Sequence, residues 1–180
     1  ARGTPAIGGG VANVAAGGGF SHVFIKVADA ASPYNLNKTT GVDLIPPVVD
    51  ALRSRGIQVW GWHYIYGYNP SGEAAIAISQ TKKYNLDGYV VDAEIEFQQT
   101  GREAVARSFM TALRAGLPTK PVALSTYRWP SYHKTFPYVA FLEKCDYNMP
   151  QVYWMQAHNP SYDLTRSYKE FKAITPTRPI

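Results

Sequence analysis

Five runs rich in β-branched and aromatic residues recur along the chain, and each gives way to a segment with helical signals. The runs are SHVFIKVADA (21–30), IQVWGWHYIYGY (57–68), DGYVVDAEI (87–95), KPVALSTYR (120–128) and YNMPQVYW (147–154). Between and after them lie PPVVDALRSRG, EAAIAISQTKKYN, TGREAVARSFMTALRAG, FPYVAFLEKC and SYDLTRSYKEFKAI. Prolines sit well in a first helical turn and glycine stops a helix, as at Gly56. Thr100 and Glu103 have the spacing of a capping box, with Gly116 and Pro118 ending that helix. Strands alternating with helices at this spacing make βα units and a parallel sheet. The strands are apolar on both faces, as strands covered on both sides are.

No strand carries a dinucleotide fingerprint after it. GGGVANVAAGGG (8–19) is glycine-rich without a preceding strand, and reads as a poor first helix over 5–17 or as a loop. TPTRPI (175–180) reads as the opening of a sixth strand. A βα barrel needs about 250 residues, with roughly 200 as a lower bound, and the sequence has 180. The expected fold is therefore α/β, a single TIM-like βα-barrel domain over 1–180. It is expected to be incomplete, with strands two to six and their helices present. An open doubly wound sheet is the alternative.

The net charge of +5 comes from scattered residues. It suits attraction to an acidic polymer such as a bacterial cell wall. No nucleic-acid-binding module is recognisable, and no apolar run is long enough to span a bilayer. The single cysteine, Cys145, excludes an internal disulfide framework and reads as a small buried hydrophobe. His22, His133 and His158 show no metal-ligand spacing, and no metal or other cofactor is expected.

The stretch GYVVDAEIEF sets three of the chain's 13 acidic residues behind buried-looking valines. Strand alternation puts Val90, Asp92, Glu94 and Glu96 on one face and Val91, Ala93 and Ile95 on the other. In a barrel the acids then stand at the C-terminal end of a strand, where barrel enzymes place their chemistry. Neighbours on one face are about 6.6 Å apart. Close carboxylates resist ionising together, so one keeps a proton. A protonated acid beside an ionised one is what glycosidic cleavage requires. Two other readings stand beside this one. The acids, Glu96 above all, simply begin a loop, or the three carboxylates hold a divalent metal in a phosphoesterase.

Other strand ends supply partners. Trp60, Trp62, Tyr64, Tyr66 and Tyr68 share a face. Trp60 and Trp62 read as core, while Tyr64 and Tyr66 stand nearer the mouth, where flat rings suit sugar faces. His63, on the opposite face, reads as a satisfied structural histidine. Tyr127 and Arg128 end the next strand. Asn148, Gln151 and Tyr153 are placed to hydrogen-bond an acetamido group or sugar hydroxyls, and Lys26 and Asp29 close the first run.

HVFIKVADA, GWHYIYGYNPSGEAAIAI, YVVDAEIEF and PVALSTYRWPSYH, in that order, resemble the landmarks of glycoside hydrolase family 25, the cell-wall lysozymes of bacteria and phages. That family's strands commonly read like FIKATEG and GAYHF, and its fourth ends in Asp-x-Glu, matched here by Asp92-Ala93-Glu94. The resemblance implies a barrel that cuts between N-acetylmuramic acid and N-acetylglucosamine. It makes Glu94 the proton donor, and makes Asp92 its charged partner or the group that orients the acetamido. It also makes Trp62 part of the groove. VADA departs from ATEG, with Asp29 in the glutamate's place. The family's further aspartates, on its first strand and near its last, have no counterpart here. The function expected is hydrolysis of peptidoglycan-like β-linked aminosugar polymers, outside the cell and associated with a cell wall or virion. The second expectation is a non-catalytic, glycan- or protein-binding barrel module within a larger chain or assembly, such as a phage tail or a cell surface.

Overall fold

A computed structural model describes residues 4–154 and 158–180 of the chain. In chain order the elements are α1 (Thr4–Gly17), β1 (His22–Asp29), β2 (Ser32–Pro33), α2 (Ile45–Arg53), β3 (Gln58–Ile65), α3 (Pro70–Lys83) and β4 (Gly88–Ala93). Then come α4 (Arg102–Gly116), β5 (Val122–Tyr127), α5 (Tyr138–Leu142), β6 (Tyr147–Gln151) and α6 (Pro160–Lys172). Short 3-10 turns follow β4 at Ile95–Gln98 and β5 at Pro130–Tyr132.

The six strands form one sheet in the order β2-β1-β3-β4-β5-β6, and every pair except β1–β2 is parallel. Apart from the two-residue β2, spatial order follows chain order without a reversal. A doubly wound sheet needs a switch point, and none exists among the described residues. Right-handed crossovers taken always in one direction leave all the helices on one face, and the apolar side chains bear this out. Val27, Val59, Ile65, Tyr89, Val91, Val122 and Leu124 pack with helix residues such as Leu52, Ala77, Phe109, Leu113 and Phe141. The other face holds a separate cluster of Trp60, Val90 and Ala123, flanked by Trp62 and Met149, with no helix residue in it.

That second face is concave. The Trp60 and Tyr147 rings lie 6.2 Å apart, although β4 and β5 stand between their strands. On a flat sheet three strand spacings would separate them by about 14 Å. The fold is thus a curved α/β sheet of barrel type, open between β1 and β6 among the described residues. No described helix is long and apolar enough to cross a membrane.

Some local expectations need correction. Thr100 and Glu103 form no capping box. Gly101 takes a left-handed conformation (φ 81°) and is itself the N-cap, without a side-chain bond. The helix therefore starts one residue later, and Glu103 pairs instead with Arg107 at 2.9 Å. TPTRPI is not a strand, although the Asn148 amide donates to the Pro179 carbonyl at 2.8 Å, alongside β6. The glycine-rich opening is a helix, and Gly8 shows one reason. A Cβ there would overlap the Pro47 carbonyl, so its absence lets α1 lie close against α2.

Gly88 plays the matching part inside the trough. A Cβ on it would run into the Trp60 ring, which lies directly over β4. Gly88→Ala should cost about 1–3 kcal/mol, as overpacking does, and should alter the emission of Trp60. Denaturant titration followed by tryptophan fluorescence checks both, and an unchanged midpoint and spectrum would show that the ring has room to move.

Candidate active site

Register decides which side chains meet on the concave face. Parallel partners share a face, so Lys26, Trp62, Val90, Ala123 and Tyr147 form one row. Asp29, Tyr64, Asp92, Ser125 and Met149 form the next row toward the C-terminal strand ends. Lys26 and Asp29 are three residues apart, an odd number, and simple alternation would put them on opposite faces. The register slips between Lys26 and Ala28, which leaves Val27 as a bulge. A bulge flips the parity of everything after it. Both charged residues consequently face the trough, where they form an ion pair. The Lys26 Nζ also lies 5.0 Å from the Trp62 ring centroid and 4.5 Å from that of Tyr34.

Above these rows opens a cavity of about 470 Å³. It is lined by Phe24, Trp62, Val90, Asp92, Glu94, Ser125, Met149, Pro150, Gln151 and Tyr153. Asp92 and Glu94 enter it from the end of β4. The Gln151 Nε2 donates to Asp92 Oδ1 and to Glu94 Oε1, each at 3.0 Å. The two acids thus share one donor. A larger hollow of about 670 Å³ lies between the first turn of α4 and residues 134–140, but Glu103 is its sole acid among the described residues.

Burial holds the Asp92 carboxyl at about 7, far above the ordinary carboxylate range, aided by the charge of Glu94. Lys26 and the Gln151 donor pull the other way. Around the pair, the Tyr64 hydroxyl donates to Glu96 Oε2 at 2.7 Å and Tyr66 donates to Asp29 Oδ1 at 3.3 Å. Burial, that bond to Glu96 and the charges of Glu96, Glu94 and Asp92 hold Tyr64 firmly in its protonated form. The Tyr64 and Tyr66 rings are 4.9 Å apart, and Tyr66 stacks on Tyr68 at 6.2 Å.

The residues singled out in the sequence fall into three groups. Asp92, Glu94, Trp62, Gln151 and Tyr153 line the cavity. Lys26, Asp29, Tyr64, Tyr66 and Glu96 stand around it, spent largely on one another. Tyr127 is engaged elsewhere: its ring stacks on His133 at 3.5 Å and its hydroxyl accepts from Gln98 Nε2 at 2.8 Å. Arg128 lies over Trp129 at 4.0 Å. Asn148 faces away from the cavity, because its partner Leu124 is on the helix side, and is buried. Trp60 is core, as expected. His63 is fully buried: Tyr89 donates to its Nδ1 at 2.6 Å and its Nε2 donates to the Ala30 carbonyl at 2.8 Å. Burial lowers it to about 4, so it stays neutral. Cys145 is buried too, and its thiol is pushed up to about 12. No cluster of three or more His, Cys, Asp or Glu side chains among the described residues is arranged to hold a metal ion.

Ser125, Met149 and Glu73 were missed. Strand alternation in VALSTY and YNMPQ marks the first two. Glu73 is buried in the first turn of α3, and its carboxylate accepts from the Tyr66 amide at 3.2 Å and the Gly67 amide at 2.9 Å. It fixes the loop that carries Tyr66 and Tyr68. NPSGE signals a helix start, but not that its acid reaches back to the strand.

No protein-family model matches this chain, and no curated protein matches it. Among solved structures it is similar to a chitinase from Chromobacterium violaceum ATCC 12472, with a TM-score of 0.66 at 14% identity. The match covers 89% of this chain and 59% of that one, so the chain spans less than two thirds of its neighbour. At that identity the likeness establishes the fold alone, a partial α/β barrel, and does not single out family 25.

The raised Asp92 has a consequence for stability. A carboxyl whose folded value lies above its unfolded one favours folding while protonated and loses that favour as pH rises. The wild-type melting temperature should therefore fall between about pH 4 and about pH 7 relative to Asp92→Asn, and run parallel to it above. Parallel curves throughout would mean that Asp92 titrates as an ordinary surface acid.

Proposed function

We propose that the protein is a glycoside hydrolase of β-linked aminosugar polymers, of the peptidoglycan or chitin type, with Glu94 as general acid and Asp92 as its partner. One observation carries this: two carboxyls bound to one Gln151 nitrogen, one of them held at about 7, stand in an aromatic-lined cavity at a strand end. The similarity to a chitinase fold supports it, as do the family 25 landmarks in the sequence.

Below about pH 7 Asp92 holds a proton in the cavity that Glu94 also lines. A glycosidic oxygen entering beside Glu94 draws that proton across. The C–O bond breaks with the proton going to the leaving oxygen, and the ionised pair then faces the cationic sugar carbon. The carbon is then captured by water, by the sugar's own acetamido oxygen or by the Asp92 carboxylate. A water finally completes hydrolysis and returns a proton to the pair. Trp62 and Tyr153 offer rings to the sugar, while Tyr64, Tyr66 and Glu96 shape the wall. Such polymers lie outside the cytoplasm, so the site of action is extracellular.

Glu94→Gln should lower release of reducing ends from N-acetylglucosamine oligomers or peptidoglycan glycan strands by about 10²–10⁴-fold, the worth of a general acid, with the fold and glycan binding kept. An unchanged rate would reject the assignment. Wild-type protein that binds glycan yet releases no reducing ends would instead favour the non-catalytic module.

A further inference from the structure

We propose that the bulge at Val27 serves the site: it turns Asp29 into the trough, where Asp29 anchors Lys26 as the fixed cation that sets the charge of the Asp92–Glu94 pair. Lys26 is thus a positioning residue, not a group that touches the sugar. This rests on the pair being the acid unit of the proposed reaction, but it concerns what controls that pair.

Lysine side chains are long and mobile, and one at a cavity wall ordinarily reaches for water. Here the ammonium is held on three sides, by the Asp29 carboxylate and the ring faces of Trp62 and Tyr34. Its side chain is only 20% exposed. It sits one row below Asp92, and Trp62 is its register partner on β3. Without the bulge, Asp29 would face the helices and Lys26 would lack its anchor. A one-residue insertion therefore changes which charges the cavity contains.

The charged and titratable groups facing the pair can be named element by element. From β1 come Lys26 and, in the Asp92 row, Asp29. From β3 comes Tyr64, which is tied to Glu96 in the turn after β4. From β5 comes Tyr127, and from β6 and the residues just after it come the neutral Gln151 and the Tyr153 hydroxyl. Lys26 is the one cation among them. Gln151 supplies donors without charge, and the remaining groups are acids or neutral hydroxyls. Opposing the mutual repulsion of the pair thus falls to Lys26, in agreement with its downward pull on Asp92.

The two members of the ion pair then act on Asp92 with opposite sign. Lys26→Met removes the cation, so the pair should hold its proton to higher pH, by about one unit for a charge one row away in a half-buried site. Asp29→Asn leaves the cation and removes its counter-charge, so the titration should move downward. Lys26→Arg should restore the wild-type value. The readout is carbon-13 NMR titration of the Asp92 carboxyl in the folded protein, assigned with Asp92→Asn, with the pH profile of glycan cleavage beside it. A merely structural role for the salt bridge would shift both variants the same way, because each breaks it. Shifts of equal sign, or none, would overturn the proposal. The NMR titration needs no substrate, so absent glycan cleavage with the opposite shifts intact would count against the hydrolase reading alone.

Discussion

Two carboxyls joined through one Gln151 nitrogen at the end of β4 govern everything else in the molecule's proposed chemistry. Like charges this close in a partly dry cavity are costly, and the surroundings answer that cost in specific ways. Gln151 reaches from β6 and donates from one nitrogen to both acids. Lys26 contributes charge from β1, and Asp92 keeps a proton to about 7. These contributions come from opposite ends of the sheet. They converge because the sheet is curved, and its curvature is therefore a condition of the site as well as a property of the fold.

The same curvature divides the apolar residues. On the convex side the helices and strands share one continuous core. On the concave side the small cluster of Trp60, Val90 and Ala123 forms a floor beneath the acids. Gly88 makes that floor possible by leaving room for the Trp60 indole. An apolar floor dries the cavity from below and so strengthens every electrostatic term above it. Packing and acidity are in this sense linked through one strand.

Much of this was legible in the sequence because it depends on short-range periodicity. The βα alternation, the strand and helix positions, and the shared face of Val90, Asp92 and Glu94 all follow from period-two and helical patterns. His63 was legible as structural for the same reason. The misses have a different origin. The bulge at Val27 breaks the alternation without a glycine or proline to announce it. The Gln151 clamp links residues 57 and 59 positions apart, a distance over which periodicity says nothing. Tyr127 has the parity of a cavity residue, but stacking on His133 takes its ring. The expected capping box failed because Gly101 could adopt a left-handed conformation and cap the helix one residue later.

The claim beneath all of this is that a carboxylic acid persists in this cavity under conditions where free aspartate is ionised. Infrared spectroscopy observes that species directly, through the carbonyl stretch of a protonated carboxyl. In the native protein at about pH 6, well above the ordinary aspartate value of about 3.9, the band should be present, disappear on raising the pH past about 7, and be missing from Asp92→Asn. A native spectrum without that band, or one that keeps it when Asp92 is replaced, would contradict the proton held on Asp92 and with it the proposed chemistry.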